Sequence, residues 1–256
     1  MTTVFLWTAD TDVAADALPS LQAWLSDDEL KRAANYKVEH LQRRFVTGRA
    51  FLRTVLASQL NCAPQEVEFE IDPGGKPHLA GAYLGQCQFS YSRSQNWAVA
   101  AVVQGRDVGV DIELPKPMND QASVARRIFN DRDFVEWQCL TLQQKPDWFF
   151  RAWTRKEARG KADGTGISRG PENLQVPLQP FEPGAAQLLD DGVWLLSDWD
   201  PLPDAPASLV IAVGPRRQPM TSYRDEVIPR EQIRKRFAVE FPGQQDFGLT
   251  VRQFGA

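Results

Sequence analysis

A short stretch in the middle of the chain places two carboxylates at strand spacing. In "GVDIE", residues 109–113, Asp111 and Glu113 are two positions apart. A β-strand would direct both acids to one face and would turn Val110 and Ile112 to the other face, into the core. Two like charges on one face repel unless something positive lies between them. The pair therefore indicates either a solvated strand edge or a site for a cation.

A second stretch combines a carboxylate with several basic side chains at helical spacing. In "WTRKEARGK", residues 153–161, Glu157 and Lys161 are four apart and would be neighbours on a helix. Mg²⁺ prefers oxygen ligands, usually a few carboxylates with phosphate and water. Basic side chains around such an ion would neutralise an anionic substrate and hold it in line. The two stretches together indicate phosphoryl chemistry at a hard metal ion.

Each stretch also has a purely structural interpretation, which is the favoured one when that stretch is taken alone. Asp111 and Glu113 fit an exposed strand edge with solvated acids. Glu157 and Lys161 fit an exposed ion pair worth about 0.3–0.5 kcal/mol. Trp153, one turn before Glu157, fits a core residue.

The composition excludes several other classes of site. A net charge of −4 over 256 residues gives no overall electrostatic reason to bind nucleic acid or an anionic membrane. Two histidines leave little material for a zinc site or a Ser-His-Asp triad. Three cysteines, far apart and without CxxC spacing, predict reduced thiols and a cytoplasmic protein. We see no signal peptide and no apolar run of membrane-spanning length.

The elements that must position these residues follow from periodicity and capping. Ser26 and Glu29 have capping-box spacing at the start of a helix, and a longer helix is expected over residues 40–60. That helix carries one apolar stripe: Phe45, Gly48, Phe51, Leu52, Val55 and Leu56. Further helices are expected over residues 122–129, 131–142 and the segment that ends at Gly164 and Gly166.

The strands fall on both sides of these helices. Strands are predicted at residues 4–7, 67–71, 87–92, 97–103, 108–114 and 207–214. The "QGRD" turn, residues 104–107, predicts that the strands beside it form a hairpin, and Asp191-Gly192 predicts another hairpin. Both halves follow the order strand, long helix, strands, which indicates an α+β fold and leaves a duplication open. The pattern weakens from residue 215 onward.

Taken together, the two stretches resemble the paired signatures of the Sfp-type 4′-phosphopantetheinyl transferase superfamily. Those signatures are a strand (V/I)G(V/I)D(x)E and a helix W(S/T/C)xKE(A/S)xxK, and both match in order and spacing about forty residues apart. The likeness extends to four further segments and spans about residues 20 to 213. They are "GKPHL" at 75–79, "FSYSRSQNWAVAAV" at 89–102, "RRFVTGRAFLR" at 43–53 and "GTGIS" at 164–168.

The resemblance implies an enzyme and its partners. It would transfer 4′-phosphopantetheine from coenzyme A to a serine of an acyl or peptidyl carrier protein, with Mg²⁺, and release 3′,5′-ADP. It would be a cytoplasmic monomer of fatty acid or secondary-metabolite biosynthesis, with no nucleic acid or membrane partner. The alternative is a non-catalytic module that binds coenzyme A or a carrier protein. Another Mg²⁺-dependent phosphoryl or pyrophosphate-cleaving enzyme is a third possibility, and no P-loop supports an ATP-based version.

The resemblance also assigns roles to individual residues. Asp111, Glu113 and Glu157 would be the metal ligands, and Lys161 would reach the phosphates or the leaving oxygen. Coenzyme A would be bound by residues of five segments: Arg44, Lys76, Pro77, Ser92, Arg93, Ser94, Asp111 and Lys161. Lys31 and Arg32 are looser candidates for the same patch, for which a solvated helix face is the preferred interpretation.

Two positions depart from the family pattern. Arg93 replaces a histidine that usually meets the 3′-phosphate, and arginine still binds phosphate bidentately. Asp133 aligns with a glutamate often assigned as general base, but it is one methylene shorter and would reach the serine through water. An acid favoured by the helix N-terminus explains Asp133 equally well. These departures motivate the non-catalytic alternative.

The resemblance finally implies a pseudo-twofold duplication of two similar α/β lobes. We place the N-terminal lobe at residues 1–107 and the C-terminal lobe, with the metal-binding signatures, at 108–214. Coenzyme A would lie in the cleft between them. Residues 215–256 form a C-terminal extension of unknown role.

Overall fold

The structure, a computed structural model, describes residues 4–167, 170–179, 186–189, 192–202 and 205–213, together with the backbone of 251–252. Six α-helices lie in this part of the chain: α1 (Leu18–Gln22), α2 (Asp27–Ala34), α3 (Glu39–Leu60), α4 (Gln121–Ile128), α5 (Asp131–Gln138) and α6 (Gln144–Asp163). The expectations for Asp191 and for most of the extension after residue 214 fall outside the described residues.

Ten strands are described, and most belong to two antiparallel sheets. The strands are β1 (Val4–Asp10), β2 (Phe69–Ile71), β3 (Pro77–Leu79), β4 (Gln88–Ser94), β5 (Trp97–Val103), β6 (Val108–Ile112), β7 (Ala186–Leu188), β8 (Trp194–Leu202), β9 (Ala205–Ala212) and β10 (Val251–Arg252). The first sheet has the order β10-β1-β5-β4 and the second has the order β6-β9-β8-β7, while β2 and β3 pair separately. The α+β prediction is confirmed.

The long helix α3 lies on the outer face of the first sheet. Its predicted stripe is buried from Phe45 to Leu56. Phe51 and Leu52 of this stripe pack against Trp7 of β1 and against Ala98 and Ala100 of β5. The predicted capping box at Ser26 is also present, since Glu29 N donates to Ser26 Oγ and Ser26 N donates to the Glu29 carboxylate.

The two sheets pack on each other, and α6 covers the outer face of the second sheet. Between the sheets, Val99 and Ala101 of β5 meet Val110 and Ile112 of β6 and the apolar side chains of β9. On the far side, Ala158 and Ala162 of α6 pack with Leu196 and Val210. Val110 and Ile112 thus point into the core, as the alternation predicted.

The predicted hairpin between β5 and β6 is wrong, because these strands belong to different sheets. Strand β5 pairs with β1 along one edge and with β4 along the other, so neither edge is left for β6. Strand β6 pairs instead with β9. At the second predicted hairpin, β7 does pair with β8, with Gly192 in the left-handed conformation between them.

Candidate active site

A glycine lets α6 lie directly on β6. A side chain at Gly109 would overlap the carbonyl oxygen of Ala158, so only glycine permits this separation. The contact places the outward face of β6, with Asp111 and Glu113, beneath the turn of α6 that carries Glu157 and Lys161. The two stretches selected from the sequence therefore meet in the fold.

Strand β4 lies along β6 and contacts it through serine side chains. Ser90 Oγ accepts from Val110 N at 3.0 Å, and Ser92 Oγ donates to Asp111 Oδ1 at 2.6 Å. Ser94 Oγ donates to Glu113 Oε2 at 2.7 Å. The serines recur every second residue, as do the acids, so each acid has one serine opposite it.

Asp111 is buried, with one oxygen bonded and the other without a partner. Its Oδ1 accepts from Ser92 and from the Lys161 ammonium, 2.6 Å away, and the residue is 3% exposed. Its Oδ2 has no hydrogen-bond partner among the described residues. Burial raises the pKa of Asp111, while Lys161 and Ser92 oppose the shift. The solvated-edge interpretation is therefore wrong for this acid.

Glu113 and Glu157 complete the acidic group. Burial raises the pKa of Glu113, against the bonds from Ser94 and from the Trp153 indole, and the Asp111 charge raises it further. Burial, followed by repulsion from Asp111, raises the pKa of Glu157 to about 7. Within the described residues no hydrogen bond to the Glu157 carboxylate is formed, and Lys161 pairs with Asp111 instead of with Glu157.

The donor set fits a hard cation, although the acids are not drawn together around a point. As the side chains lie, no group of three or more His, Cys, Asp or Glu residues in the described part of the chain could hold a metal ion. The buried Asp111 Oδ2 nevertheless has an unused lone pair. Glu113 and Glu157 add oxygen ligands of the kind that Mg²⁺ prefers. A cation here would relieve the repulsion that raises the pKa of Glu157.

The other basic residues of the α6 signature point away from the acids. Arg155 binds Asp198 and the carbonyl oxygens of Pro177 and Gln179. Lys156 donates to two further carbonyls. Arg159 pairs with Asp163 and lies over the Trp194 ring. Of the basic residues in this signature, Lys161 is thus the one bonded to the acids.

Lys76 lies near the end of α6. Its ammonium donates to the carbonyl oxygen of Ala162 at 3.0 Å and to that of Val108 at 3.3 Å. Pro77 follows as the first residue of β3 and lies opposite Ile71. In the structure, the GKP turn therefore ties the region before β3 to α6 and β6.

Arg44 and Arg93 lie toward α3, away from the acids. Arg93 projects from the face of β4 opposite Ser92 and Ser94, and its Cδ lies beside Gly48 of α3. Arg44, one turn before Gly48, has its guanidinium 3.4 Å from Asp12, and its buried Nε has no partner among the described residues. These two predicted ligands of coenzyme A are thus on one side of the molecule.

The remaining sequence candidates have local roles. Asp133 accepts from Asn130 Nδ2 at 3.0 Å at the start of α5; burial raises its pKa, and the charge of Lys156 lowers it. Lys31 forms an exposed ion pair with Asp28. Arg32 lies over the Phe45 ring. The structure does not bring Asp133 into hydrogen-bonding contact with the three acids.

One contributor to the site was missed in the sequence. The Trp153 side chain packs against the core cluster around Phe149, as interpreted from the sequence, but its indole nitrogen also donates to Glu113 Oε1 at 3.2 Å. The available signal was its position one turn before Glu157, on the side of α6 that turns toward β6. A similar signal was the match between S-x-S-x-S in β4 and D-x-E at the end of β6.

The chain is similar in sequence to one protein family and to several named proteins. Residues 107–212 match the model of the 4′-phosphopantetheinyl transferase superfamily. The chain is 37% identical over 210 residues to the 4′-phosphopantetheinyl transferase HetI of Nostoc; the aligned part is 82% of this chain and 87% of that protein. It is 33% identical over 165 residues to a putative 4′-phosphopantetheinyl transferase of Synechocystis; the aligned part is 64% of this chain and 66% of that protein. It is 22% identical over 169 residues to the 4′-phosphopantetheinyl transferase Sfp of Bacillus subtilis; the aligned part is 66% of this chain and 73% of that protein.

Proposed function

Because the chain belongs to the 4′-phosphopantetheinyl transferase superfamily and is an enzyme that transfers phosphopantetheine to carrier proteins, we propose that it does so with Mg²⁺. Coenzyme A is the donor. The acceptor is a serine of an acyl or peptidyl carrier protein. A bond forms between the serine oxygen and the phosphorus that bears pantetheine, the bridging bond of the pyrophosphate breaks, and 3′,5′-ADP leaves.

The observation that carries the metal assignment is the buried Asp111 Oδ2, which has no hydrogen-bond partner among the described residues and lies near Glu113 and Glu157. Burying a charged oxygen without a hydrogen-bond partner costs folding free energy, so we infer that a bound ligand supplies the missing partner. Bound Mg²⁺ would supply charge neutralisation and polarise the phosphoryl oxygens. Asp111, Glu113 and Glu157 would hold it.

The residues of the chain would then bind, orient and move protons around the pyrophosphate. Lys161, bonded to Asp111 Oδ1 before substrate binds, would reach a phosphate oxygen or the leaving oxygen. With a pKa of about 7, Glu157 is poised near neutral pH and is suited to proton transfer when it is not holding the metal. Asp133 would accept the serine proton through water, after its bond with Asn130 opens.

Coenzyme A would extend from the acids toward α3. Arg93 would bind a phosphate bidentately, with Arg44 beside it on the same side of β4. Ser92 and Ser94 would line the part of the path nearest the acids, and Lys76 and Pro77 would contact the nucleotide from the GKP turn. For that contact, Lys76 would have to exchange its bonds with backbone carbonyls for bonds with the ligand.

The proposed lobes, residues 1–107 and 108–214, are supported by the matching layers of the fold. The first lobe contributes three antiparallel strands, β1, β5 and β4, which α3 covers, and β10 from residues 251–252 adds a fourth strand to this sheet. The second lobe contributes a four-stranded antiparallel sheet covered by α6. The seam between β4 and β6 would be the cleft. In the part of the chain that the structure describes, none of the helices is long and apolar enough to cross a membrane.

Further properties belong to the same proposal. The unpaired thiols of Cys62, Cys87 and Cys139 support a cytoplasmic location. We place the enzyme, as a monomer, in fatty acid or secondary-metabolite biosynthesis. Its net charge of −4 supports no role for nucleic acid or membrane.

A transfer assay tests the proposal. The protein is incubated with apo carrier protein, coenzyme A and Mg²⁺, and the carrier is weighed by mass spectrometry. We expect the mass of one phosphopantetheinyl group to be added, and Asp111→Ala to lower the rate by about 10²–10³. Asp147→Ala, which removes another acid of α6 that pairs only with Arg151 among the described residues, is the matched control. Thermal melting checks the fold of both variants. An unchanged rate in Asp111→Ala would remove the metal assignment, and no mass gain on several carriers would remove coenzyme A as donor.

A further inference from the structure

The carboxylate of Glu113 is held at both oxygens by uncharged donors. Ser94 Oγ lies 2.7 Å from Oε2, and Trp153 Nε1 lies 3.2 Å from Oε1. The serine comes from β4 and the tryptophan from α6, while Glu113 directly follows β6. Three separate elements therefore fix one carboxylate.

The serine hydroxyl has its direction set by the backbone. Leu114 N donates to Ser94 Oγ at 3.0 Å, so the oxygen is already used as an acceptor. A hydroxyl has a single proton, and here that proton is directed to Glu113 Oε2. Ser94 is itself buried, which limits its freedom to rotate toward other partners.

The neighbouring acid is treated differently. Asp111 is bonded to the Lys161 ammonium at 2.6 Å, so a cation of the protein already offsets its charge. Glu113 forms no ion pair among the described residues, and its donors are neutral. Neutral donors orient a carboxylate without cancelling its charge, so the charge stays available to a bound cation.

We propose that Ser94 and Trp153 are positioning residues that fix the Glu113 carboxylate for metal binding. The inference rests on the proposed metal role of Glu113. It gives Ser94 a task other than direct contact with coenzyme A. It also gives the signature tryptophan a task other than packing. Both residues act through Glu113, so their loss weakens the metal site while leaving the nucleotide contacts in place.

The test compares two variants with two matched controls in the full chain. Trp153→Phe keeps the ring but removes the indole N–H, and Ser94→Ala removes the hydroxyl. Trp137→Phe is the control for the first, because its indole N–H donates to the Lys145 carbonyl at 3.1 Å, away from the acids. Ser90→Ala is the control for the second, because Ser90 lies on the same face of β4 and bonds Val110 N rather than an acid.

Metal binding is measured directly with Mn²⁺ as the probe, by the electron paramagnetic resonance signal of the free ion, with coenzyme A present. We expect Trp153→Phe and Ser94→Ala each to weaken Mn²⁺ binding about tenfold. Neither control should shift it by more than about twofold. The KM for coenzyme A should stay unchanged in Trp153→Phe, and excess Mg²⁺ should restore the transfer rate of both variants. In a Glu113→Gln background neither substitution should weaken the metal further, because their shared target is gone.

The possible failures are distinguishable. If Glu113→Gln loses Mn²⁺ but the two variants bind it as tightly as their controls, the positioning role is wrong and the metal role stands. If Glu113→Gln also binds Mn²⁺ normally, the metal role of Glu113 falls and the inference falls with it. A raised KM for coenzyme A with unchanged Mn²⁺ binding in Ser94→Ala would mean direct substrate contact. Should Trp153→Phe fail to fold, Ser94→Ala decides alone.

Discussion

The two sides of α6 differ in whether their charged residues have ion-pair partners among the described residues. On one side of α6, Arg155 is fully buried, and its guanidinium is bonded to Asp198 and to two backbone carbonyls. On the other side, Glu157, only two residues later, is partly buried beside two further acids and forms no ion pair among the described residues. Arg155 is fully buried and Glu157 is partly buried, but among the described residues only Arg155 has an ion-pair partner. A charged side chain can therefore be withdrawn from water on this helix with or without an ion-pair partner among the described residues.

The side of α6 that carries Arg155, the compensated side, holds irregular chain against the helix. Arg155 and Lys156 together donate to four carbonyls between Pro171 and Gln179. Thr154 and Ser208 join the network through Asp198. Backbone carbonyls in irregular segments need donors when they are buried, and these two cations supply them. Arg155 and Lys156 thus have partners within the protein and need no ligand to offset their charge.

The largest expected change in the free energy of unfolding comes from removing the Arg155 cation on the compensated side. Arg155→Met would leave Asp198 buried without its cation and would remove a donor from two carbonyls. We expect a loss of about 3–5 kcal/mol in the free energy of unfolding, measured by urea denaturation. The double variant Arg155→Met/Asp198→Leu should recover part of the loss, because no unpaired charge remains. A loss below about 1 kcal/mol in the single variant would show that the network is not needed for stability.

On the uncompensated side, replacing Glu157 should raise the free energy of unfolding, by less than the loss expected for Arg155→Met. The pKa of Glu157 is raised from 4.5 to about 7, first by burial and then by Asp111. Between these pH values the folded protein binds more protons than the unfolded chain, so this residue lowers stability as pH rises. Without metal, Glu157→Gln should therefore be more stable than the wild type by about 1–2 kcal/mol at pH 8 and should lose this advantage below pH 4.5.

The measurement is urea denaturation of both proteins in chelator across that pH range. Parallel stability curves would mean that Glu157 is not repelled by its neighbours in the folded state. Addition of Mg²⁺ at pH 8 should narrow the difference, since a bound cation stabilises the wild type.

The smallest expected loss of stability concerns Arg159, a cation on the compensated side of α6, one turn after Arg155. Arg159 pairs with Asp163 and lies 4.4 Å from the centroid of the Trp194 ring. Arg159→Ala should cost about 1 kcal/mol of unfolding free energy or less, and it should leave the transfer rate per folded molecule unchanged. Asp163→Ala is the matched control for the ion pair. A transfer rate lowered more than tenfold would assign Arg159 to the reaction and would break the separation between the two sides.

Local patterns predicted much of the fold. The capping box at Ser26, the buried stripe of α3 and the alternation around Asp111 were all present in short segments of sequence and are confirmed. They depend on contacts within one element or on one face of it. The hairpin after β5 failed because strand pairing depends on which edges are free, and β1, far away in sequence, occupies one of them.

The candidate site divides in the same way. The resemblance selected Asp111, Glu113, Glu157 and Lys161, and the structure brings all four to the crossing of β6 and α6. It also selected Lys76 and Asp133, which the structure engages in backbone or capping bonds. Residue type alone did not distinguish Lys161 from Arg155, Lys156 and Arg159, because all four are basic residues of one helix.

The sequence by itself determined five of the six described helices, most strands, the two signatures and the family, since these rest on local spacing and on residue identity. The short helix α1 was not predicted. Only the tertiary structure decided which cations meet which acids and that Trp153 and Ser94 hold Glu113. It also decided that one oxygen of Asp111 has no partner in the described part of the chain. The physical reason is that hydrogen bonds and ion pairs between elements depend on their separation and rotation. Those quantities are set by distant contacts such as Gly109 against α6.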